Sequence, residues 1–183
     1  MSVTTGLSAE EYLARDFPPR TQLIRGEVVV NEPIIRHQRV AQFLFRRLAD
    51  WVDASANRGE AGLGSDWVVG ERDVFAPDVW WLRESRRPGR DAPRIHGAPD
   101  LVVEVRSPST WRYDVGPKRG TYERSGVLEL WLVDLEADSV IVNRRSAPDA
   151  PGFDVLLELG TGEVVTSALF PGLEISVDEL FDR

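Results

Sequence analysis

The chain has 183 residues, a length that allows one domain with a sizeable core, and we take residues 1–183 as a single domain. It has no cysteine, which excludes disulfides and cysteine-ligated zinc, and its net charge of −8 argues against nucleic-acid binding through a broad basic surface. No apolar run approaches the ~20 residues of a membrane span, and the N-terminal sequence lacks the pattern of a signal peptide, so we expect a cytoplasmic protein with no membrane contact.

The first third of the chain is predicted to contain two helices and a hairpin. Ser8 and Glu11 have the spacing of a capping box at the start of a short helix. The segment QLIRGEVVV predicts a tight hairpin. Apolar residues at helical spacing predict a long helix from Arg36 to Ala54, and a glycine-rich connection is expected from Gly59 to Gly64.

The rest of the chain is predicted to be mostly strands. Short apolar or alternating runs predict strands at DWVVG, VFAPDVWWL, PDLVVEV, LELWLVD, SVIVN, FDVLLEL and GEVVTSALF. Between PDLVVEV and LELWLVD, the segment from Asp114 to Ser125 predicts a helix followed by a glycine cap, and a last short helix is expected near Asp178. A strand, a helix and a strand in succession indicate one parallel crossover in a mixed sheet, which is an α/β fold.

Two acidic residues lie on the strand PDLVVEV, which otherwise has the composition of a strand buried on both faces. Alternation places Asp100 and Glu104 on one face, about 13 Å apart, which is too far for both to bind one divalent cation. If the strand that follows Asp78 is the neighbour, Asp78 approaches Glu104 across the ladder, at about 5 Å. A cation or a proton would relieve their repulsion, so removal of Glu104 is expected to stabilise the metal-free protein.

Asp78 and Glu104 are therefore candidate ligands for Mg²⁺ or Mn²⁺, the cations that hard oxygen ligands favour. Such a site suits metal-assisted attack of water on a phosphodiester, which also needs a positive group near the developing charge. Arg106 follows on the same face as Glu104 but cannot act as a base. Lys118, the only lysine in the chain, shares a helix face with Tyr122 and is the alternative.

The chain resembles the Uma-two family of bacterial proteins, which belongs to the restriction-endonuclease-like PD-(D/E)xK superfamily. The resemblance is carried by SAEEYLARD, QLIRGEVVV, RHQRVAQFLFRRL, APDVWWL, GAPDLVVEVRSPST, GVLELWLVD and FPGLEISVDELF. It implies a restriction-endonuclease-like mixed β-sheet flanked by helices. It also implies a nuclease site made of Asp, Glu and Lys.

The resemblance implies a role for individual residues. Asp78 takes the place of the motif aspartate and Glu104 that of the motif glutamate. The motif lysine would stand at Arg106, where this sequence departs from the pattern, and Lys118 in the following helix is expected to replace it. Glu27 stands at a position typical of the family and is expected to line the same pocket.

Other residues are assigned less central roles. His37 is also at a family-typical position, where it either lines the pocket or makes an ordinary hydrogen bond near a helix N-terminus. Asp100 is either a secondary acid or a residue that starts a strand, and Tyr122 is expected to support the lysine. The arginine-rich loop between the two acid-bearing strands either clamps a phosphate backbone or is solvated, with its candidate phosphate ligands being Arg86, Arg87 and Arg90.

Three functions remain open on the sequence alone. The leading hypothesis is a Mg²⁺- or Mn²⁺-dependent endonuclease that hydrolyses DNA phosphodiesters, for which a homodimer would suit cleavage of both strands. The second is an inactive nuclease-fold protein that self-associates or regulates, because six tryptophans indicate either a thick core or a dimer face. A two-carboxylate glycosidase needs acids about 5–9.5 Å apart in a sugar cleft, and no other feature supports it.

Overall fold

The structure, a computed structural model, describes residues 6–182. Its α-helices are α1 (Ala9–Leu13), α2 (Ile35–Asp53), α3 (Trp111–Tyr113), α4 (Arg119–Arg124) and α5 (Val177–Phe181). A π-helical turn at Asp114–Lys118 joins α3 to α4, and a 3₁₀ turn lies at Glu84–Arg86. The strands are β1 (Thr21–Ile24), β2 (Glu27–Val30), β3 (Glu60–Leu63), β4 (Trp67–Gly70), β5 (Asp73–Phe75), β6 (Val79–Leu82), β7 (Leu101–Val105), β8 (Glu129–Asp134), β9 (Ser139–Arg144), β10 (Val155–Leu159), β11 (Val164–Thr166) and β12 (Glu174–Ser176).

The main sheet has six strands in the order β10-β9-β8-β7-β6-β3. Only the β7–β8 pair in this sheet is parallel, and the α3–α4 helical segment makes the connection between these two strands. The predicted mixed sheet with one parallel crossover is therefore confirmed. The expectation that PDLVVEV is buried on both faces is also confirmed, since all five residues of β7 are buried.

A second sheet, with the strand order β2-β1-β5-β4, lies beside the main one. The segment VFAPDVWWL was predicted as one strand, but it divides between the two sheets, with β5 in one and β6 in the other. The break falls at Pro77, which has no N–H to donate to a ladder. Its carbonyl accepts a hydrogen bond from Gly64 N–H at 3.0 Å. Asp78 is thus placed where the chain enters the main sheet.

Helices and the second sheet cover the two faces of the main sheet. Helix α2 and the C-terminal α5 pack on one face, over a cluster that includes Val103, Trp131 and Phe170. The other face packs against Trp67, Phe75 and Tyr122, which come from β4, β5 and α4. Four of the six tryptophans are buried, which supports a core role for them, and these are Trp67, Trp80, Trp81 and Trp131.

Several local predictions are confirmed and two need correction. The Ser8–Glu11 capping box is present, and the hairpin turns at Arg25 and Gly26, whose φ angles are 53° and 82°. The connection predicted from Gly59 to Gly64 is instead the edge strand β3. Gly62 is needed there, because a Cβ atom at this position would lie 2.1 Å from Trp80 Cζ2. The short strand β12 was not predicted.

Within residues 6–182, every helix is too short or too polar to cross a membrane.

Candidate active site

The β6–β7 ladder brings Asp78 and Glu104 together. Val79 pairs with Val103 in the antiparallel register, so Asp78, one residue earlier, lies opposite Glu104. Asp78 Oδ2 accepts a hydrogen bond from Val105 N–H at 2.8 Å. The same oxygen lies 3.1 Å from His37 Nε2 at the start of α2. The backbone of β7 and a side chain of α2 therefore fix this carboxylate.

Glu104 is buried and forms an ion pair with Lys118. Its Oε1 lies 2.6 Å from Lys118 Nζ, and the same oxygen accepts a hydrogen bond from the Tyr122 hydroxyl. Lys118 and Tyr122 thus reach Glu104 from one helix face, as their spacing predicts. Tyr122 is stacked on Trp67 with ring centroids 5.9 Å apart and meets Phe75 edge-on at 5.4 Å. These rings exclude water from the carboxylate on this side.

Lys118 is held by a second acid that the sequence analysis did not identify. Lys118 Nζ lies 2.9 Å from Asp114 Oδ1, one helical turn earlier, and the exposed fractions of the two side chains are 1% and 2%. The turn that carries both residues is π-helical and contains Pro117, which lacks an N–H donor. Such turns are frequent at functional sites. The acid-to-lysine spacing of four residues was the available sequence signal.

The SPST segment after β7 extends this network. Thr110 Oγ1 donates a hydrogen bond to Asp114 Oδ2 at 3.1 Å, and the hydroxyls of Thr110 and Ser107 are 2.7 Å apart. Thr110 N–H donates to Ser107 Oγ at 3.2 Å. All three side chains are buried. The hydroxyl residues therefore orient Asp114, which in turn orients Lys118.

Burial and charge shift the ionisation of these groups in different directions. Desolvation raises the pKa of Glu104 from 4.5 to about 8, with Lys118 opposing the rise and the carboxylates of Asp114 and Asp78 adding to it. Desolvation also raises the pKa of Asp114 and that of Tyr122, where Glu104 contributes further. Burial alone would lower the pKa of Lys118, but Asp114 and Glu104 together raise it. The lysine is charged, and burial makes Glu104 take up a proton at higher pH than an exposed glutamate does.

The donor set suits a divalent cation that keeps most of its water. Among residues 6–182, neither Asp78 Oδ1 nor Glu104 Oε2 accepts a hydrogen bond, so one hard oxygen of each acid remains available. The same part of the chain has no cluster of three or more His, Asp or Glu side chains that could hold a metal. Magnesium is often bound by one or two carboxylates, with water and substrate phosphate completing its coordination.

A cleft of about 330 Å³ leads to the acids. Asp78 and His37 line it, and the side chain of Asp78 is 13% exposed. Glu104 and Lys118 are not among the residues that line the cleft, and their side chains are only 4% and 1% exposed. A substrate that enters the cleft would meet Asp78 first.

Comparison with known proteins identifies the family. Residues 9–178 match the family described as "Uma2: Putative restriction endonuclease". The chain belongs to the Uma2 family. A crystal structure described as a "putative nuclease belonging to DUF820", from Anabaena variabilis ATCC 29413, is similar with a TM-score of 0.82 and 19% identity, and the match covers 96% of this chain and 98% of that one. A comparison with curated proteins finds no match.

The resemblance to the Uma-two family and the expected fold class are thereby confirmed. The match extends over the sheets and the flanking helices, since it covers 96% of the chain. The restriction-endonuclease-like mixed sheet is thus the fold of this Uma2 protein. The roles of individual residues rest on the geometry of this chain.

Asp100 lies at the other end of β7 and is bound by arginines. Asp100 Oδ1 accepts a hydrogen bond from Arg83 Nε at 2.8 Å, and Oδ2 accepts one from Arg83 N–H at 3.0 Å. Arg86 is ion-paired to the same carboxylate, and the Asp100 side chain is 0% exposed. The structure therefore places Asp100 outside the cleft, where it anchors the arginine-rich loop to the sheet.

The remaining predicted residues of this Uma2 chain also lie away from the cleft. Arg87 Nε is 3.0 Å from Glu60 Oε2, while Arg90 is exposed and has no ion pair within residues 6–182. Glu27 is exposed beside the hairpin turn, outside the cleft lining. Arg106, at the motif-lysine position, is paired to Asp134 at 2.8 Å rather than to Glu104.

Proposed function

We propose that this Uma2 protein is a Mg²⁺- or Mn²⁺-dependent endonuclease that hydrolyses DNA phosphodiester bonds. The observation that carries the proposal is the Asp78–Glu104 pair across the β6–β7 ladder, with Lys118 Nζ 2.6 Å from Glu104 Oε1. The membership of the chain in a family described as "Putative restriction endonuclease" supports it. A nuclease-like fold in the Anabaena structure is consistent with the same assignment.

Each residue would have a separate task in this reaction. Asp78 Oδ1 and Glu104 Oε2 would hold the cation, which when bound activates water and neutralises charge on the phosphate. His37 and Val105 N–H fix Asp78 through its other oxygen, so that Oδ1 would remain free to bind the cation. Lys118 would supply a permanent positive charge beside the cation, where negative charge would develop in the transition state.

The buried residues would tune this site rather than contact substrate. Asp114 and Tyr122 hold Lys118 and Glu104 in fixed positions, so little reorganisation is needed when substrate binds. Cation binding requires Glu104 to release the proton that its raised pKa favours. The network around Lys118 thus provides the counter-charge that makes this release possible in a water-poor site.

The test is cleavage of plasmid and single-stranded DNA with Mn²⁺ by the wild type and by Glu104→Gln, purified in parallel. Glu158→Gln, an exposed glutamate on β10, is the matched control. We expect the wild type and the control to cleave and Glu104→Gln to lose at least ~100-fold in rate. Equal cleavage by all three proteins would show contamination and contradict the proposal.

One observation favours the alternative of an inactive nuclease-fold module. Lys118 is ion-paired to both Glu104 and Asp114, so the buried acids share a cation partner without metal. Titration with Mn²⁺ separates the alternatives, because only the enzyme requires binding at millimolar or lower concentrations that Glu104→Gln weakens. The homodimer and the cytoplasmic location stay predictions from the sequence.

A further inference from the structure

The cleft beside Asp78 is lined by amide side chains. Gln38 and Gln42 lie one turn apart on the exposed side of α2, and Gln22 lies on β1. Gln22 Oε1 accepts a hydrogen bond from Ala76 N–H at 3.1 Å. The amino group of Gln22 takes no part in this hydrogen bond. Asn31, which follows β2, has a buried Oδ1 with no hydrogen-bond partner among residues 6–182. The cleft therefore offers neutral donors and acceptors next to an acidic centre.

Apolar surface separates these amides. Leu63, at the end of β3, lines the cleft and is 42% exposed, although it is a large hydrophobic residue. Pro33 and Ala41 also line the cleft. A ligand that matches this surface has flat apolar faces and a polar edge with both donors and acceptors. Nucleobases have this chemistry, and amide side chains pair with their edges through two hydrogen bonds.

We propose that this cleft is a subsite for one unpaired nucleobase, so that the preferred substrate is single-stranded or locally unpaired nucleic acid. This inference rests on the proposed function, because the base would be delivered next to the scissile phosphate at Asp78. Gln38 and Gln42 contact the edge of the base, and Leu63 contacts one of its faces. Arg20, which lines the same cleft, contacts the neighbouring phosphate.

Two features argue for an unpaired base rather than an intact duplex. In a duplex the Watson–Crick edge of a base is hydrogen-bonded to the opposite strand and its faces are stacked on neighbouring bases, so Leu63 can contact the face of a base, within a cleft of about 330 Å³, only when that base is unpaired and unstacked. Duplex binding relies on many phosphate contacts, but the net charge here is −8 and Arg20 is the only basic side chain, apart from His37, that lines the cleft within residues 6–182. Arg83 and Arg86 of the basic loop are already bound to Asp100.

The test measures binding separately from cleavage. Fluorescence anisotropy with the Glu104→Gln variant in Ca²⁺ compares a labelled single-stranded oligonucleotide, the same strand with one central abasic site, and the corresponding duplex. We expect the intact single strand to bind more tightly than the duplex. Scanning the abasic site along the strand should reveal one position at which its loss weakens binding by about tenfold or more.

Variants then assign the effect to the cleft. Gln38→Ala with Gln42→Ala, added to Glu104→Gln, should abolish the difference between intact and abasic strands. The variant should remain folded, because both side chains are exposed and alanine is favourable in a helix. Ser55→Ala, just beyond the end of α2, is the neutral control and should retain it. Gln42→Glu keeps the shape of the side chain but removes its donors, and it should also weaken base-dependent binding.

Two results with Glu104→Gln alone would overturn the inference, whatever the glutamine variants do. One is duplex binding as tight as single-strand binding, and the other is the absence of any abasic effect. The inference and the proposed function can fail separately. Base-dependent binding by a wild-type protein that cleaves no DNA would remove the nuclease assignment and retain the subsite. Cleavage of duplex and single strands at equal rates, without a base effect, would retain the nuclease and remove the subsite.

Discussion

Lys118 Nζ lies 2.6 Å from Glu104 Oε1, and the exposed fractions of the two side chains are 1% and 4%. The Tyr122 hydroxyl donates to the same carboxylate oxygen. Glu104 therefore has a charged and a neutral donor before any metal binds. The loss of these two interactions, and not only the relief of repulsion with Asp78, determines how removal of Glu104 changes the stability of the protein.

Glu104→Ala is expected to destabilise the metal-free protein, the reverse of what repulsion between two acids alone predicts. The substitution leaves Lys118 Nζ and the Tyr122 hydroxyl buried without this partner, and breaking a buried ion pair typically costs ~3–5 kcal/mol. Urea unfolding in the presence of a chelator measures the change. Glu158→Ala on β10 should alter stability by less than about 0.5 kcal/mol. A more stable Glu104→Ala protein would restore the repulsion-based prediction.

The stability of the metal-free protein should fall as the pH rises from about 4.5 to about 8. Burial raises the pKa of Glu104 to about 8 in the folded protein, so the folded state keeps a proton that the unfolded chain releases above its ordinary value of 4.5. The contribution is at most about 1.4 kcal/mol per pH unit. Chemical unfolding across this range in a chelator should give a steeper decline for the wild type than for Glu104→Gln, and parallel curves would contradict the assignment.

Lys118→Met should lower the rate of DNA cleavage by about 100-fold or more, because a fixed positive charge near the phosphate is lost. Lys118→Arg should not restore the rate. The Lys118 side chain is 1% exposed and lies under the rings of Phe75 and Tyr122, so there is no room for the larger guanidinium. Initial rates with Mn²⁺ and the unfolding free energy of each variant should be measured together. Full activity in Lys118→Arg would show that charge alone suffices.

Asp100→Ala should destabilise the protein by about 1–3 kcal/mol and leave the cleavage rate per folded molecule unchanged. Asp100 is fully buried and holds Arg83 and Arg86, whose side chains are 46% and 36% exposed and can return to water. Limited proteolysis should find the loop between β6 and β7 more accessible in the variant. A loss of cleavage in a stably folded Asp100→Ala protein would return this aspartate to the list of site residues.

The sequence was sufficient to predict most of the main sheet, because its strands are short apolar runs with clear turn signals. The approach of Asp78 to Glu104 was predicted on the condition that the two strands are neighbours, and the β6–β7 pairing meets this condition. Division of VFAPDVWWL between two sheets was not predicted, because the pattern of apolar residues continues across Pro77. The edge strand β3 was also missed, since its glycines are typical of a loop and the closeness of Gly62 to Trp80 is a tertiary effect.

Prediction of the site was limited by long-range contacts. The shared helix face of Lys118 and Tyr122 followed from their spacing, whereas their contact with the same carboxylate depends on how that helix packs on the sheet. Asp114 had the same kind of spacing but was not recognised, because the π-helical turn around it has no clear sequence signature. The attachment of Asp100 to Arg83 was missed although both residues flank the paired strands β6 and β7. The second contact of Asp100, with Arg86, depends on the path of the loop, which periodicity cannot describe.

The parallel crossover also has a consequence for how this protein can diversify. Asp78 directly precedes β6, Glu104 lies on β7, and Lys118 lies in the segment that leads to β8. Most of the residues that line the cleft come instead from the first 42 residues. The residues of the proposed reaction and most of the residues that line the cleft are thus encoded by separate stretches of the gene. Mutations in the N-terminal stretch can change which molecules reach Asp78 and leave the ionic network behind it intact. Paralogues of this architecture are therefore expected to differ most in the segment before β3.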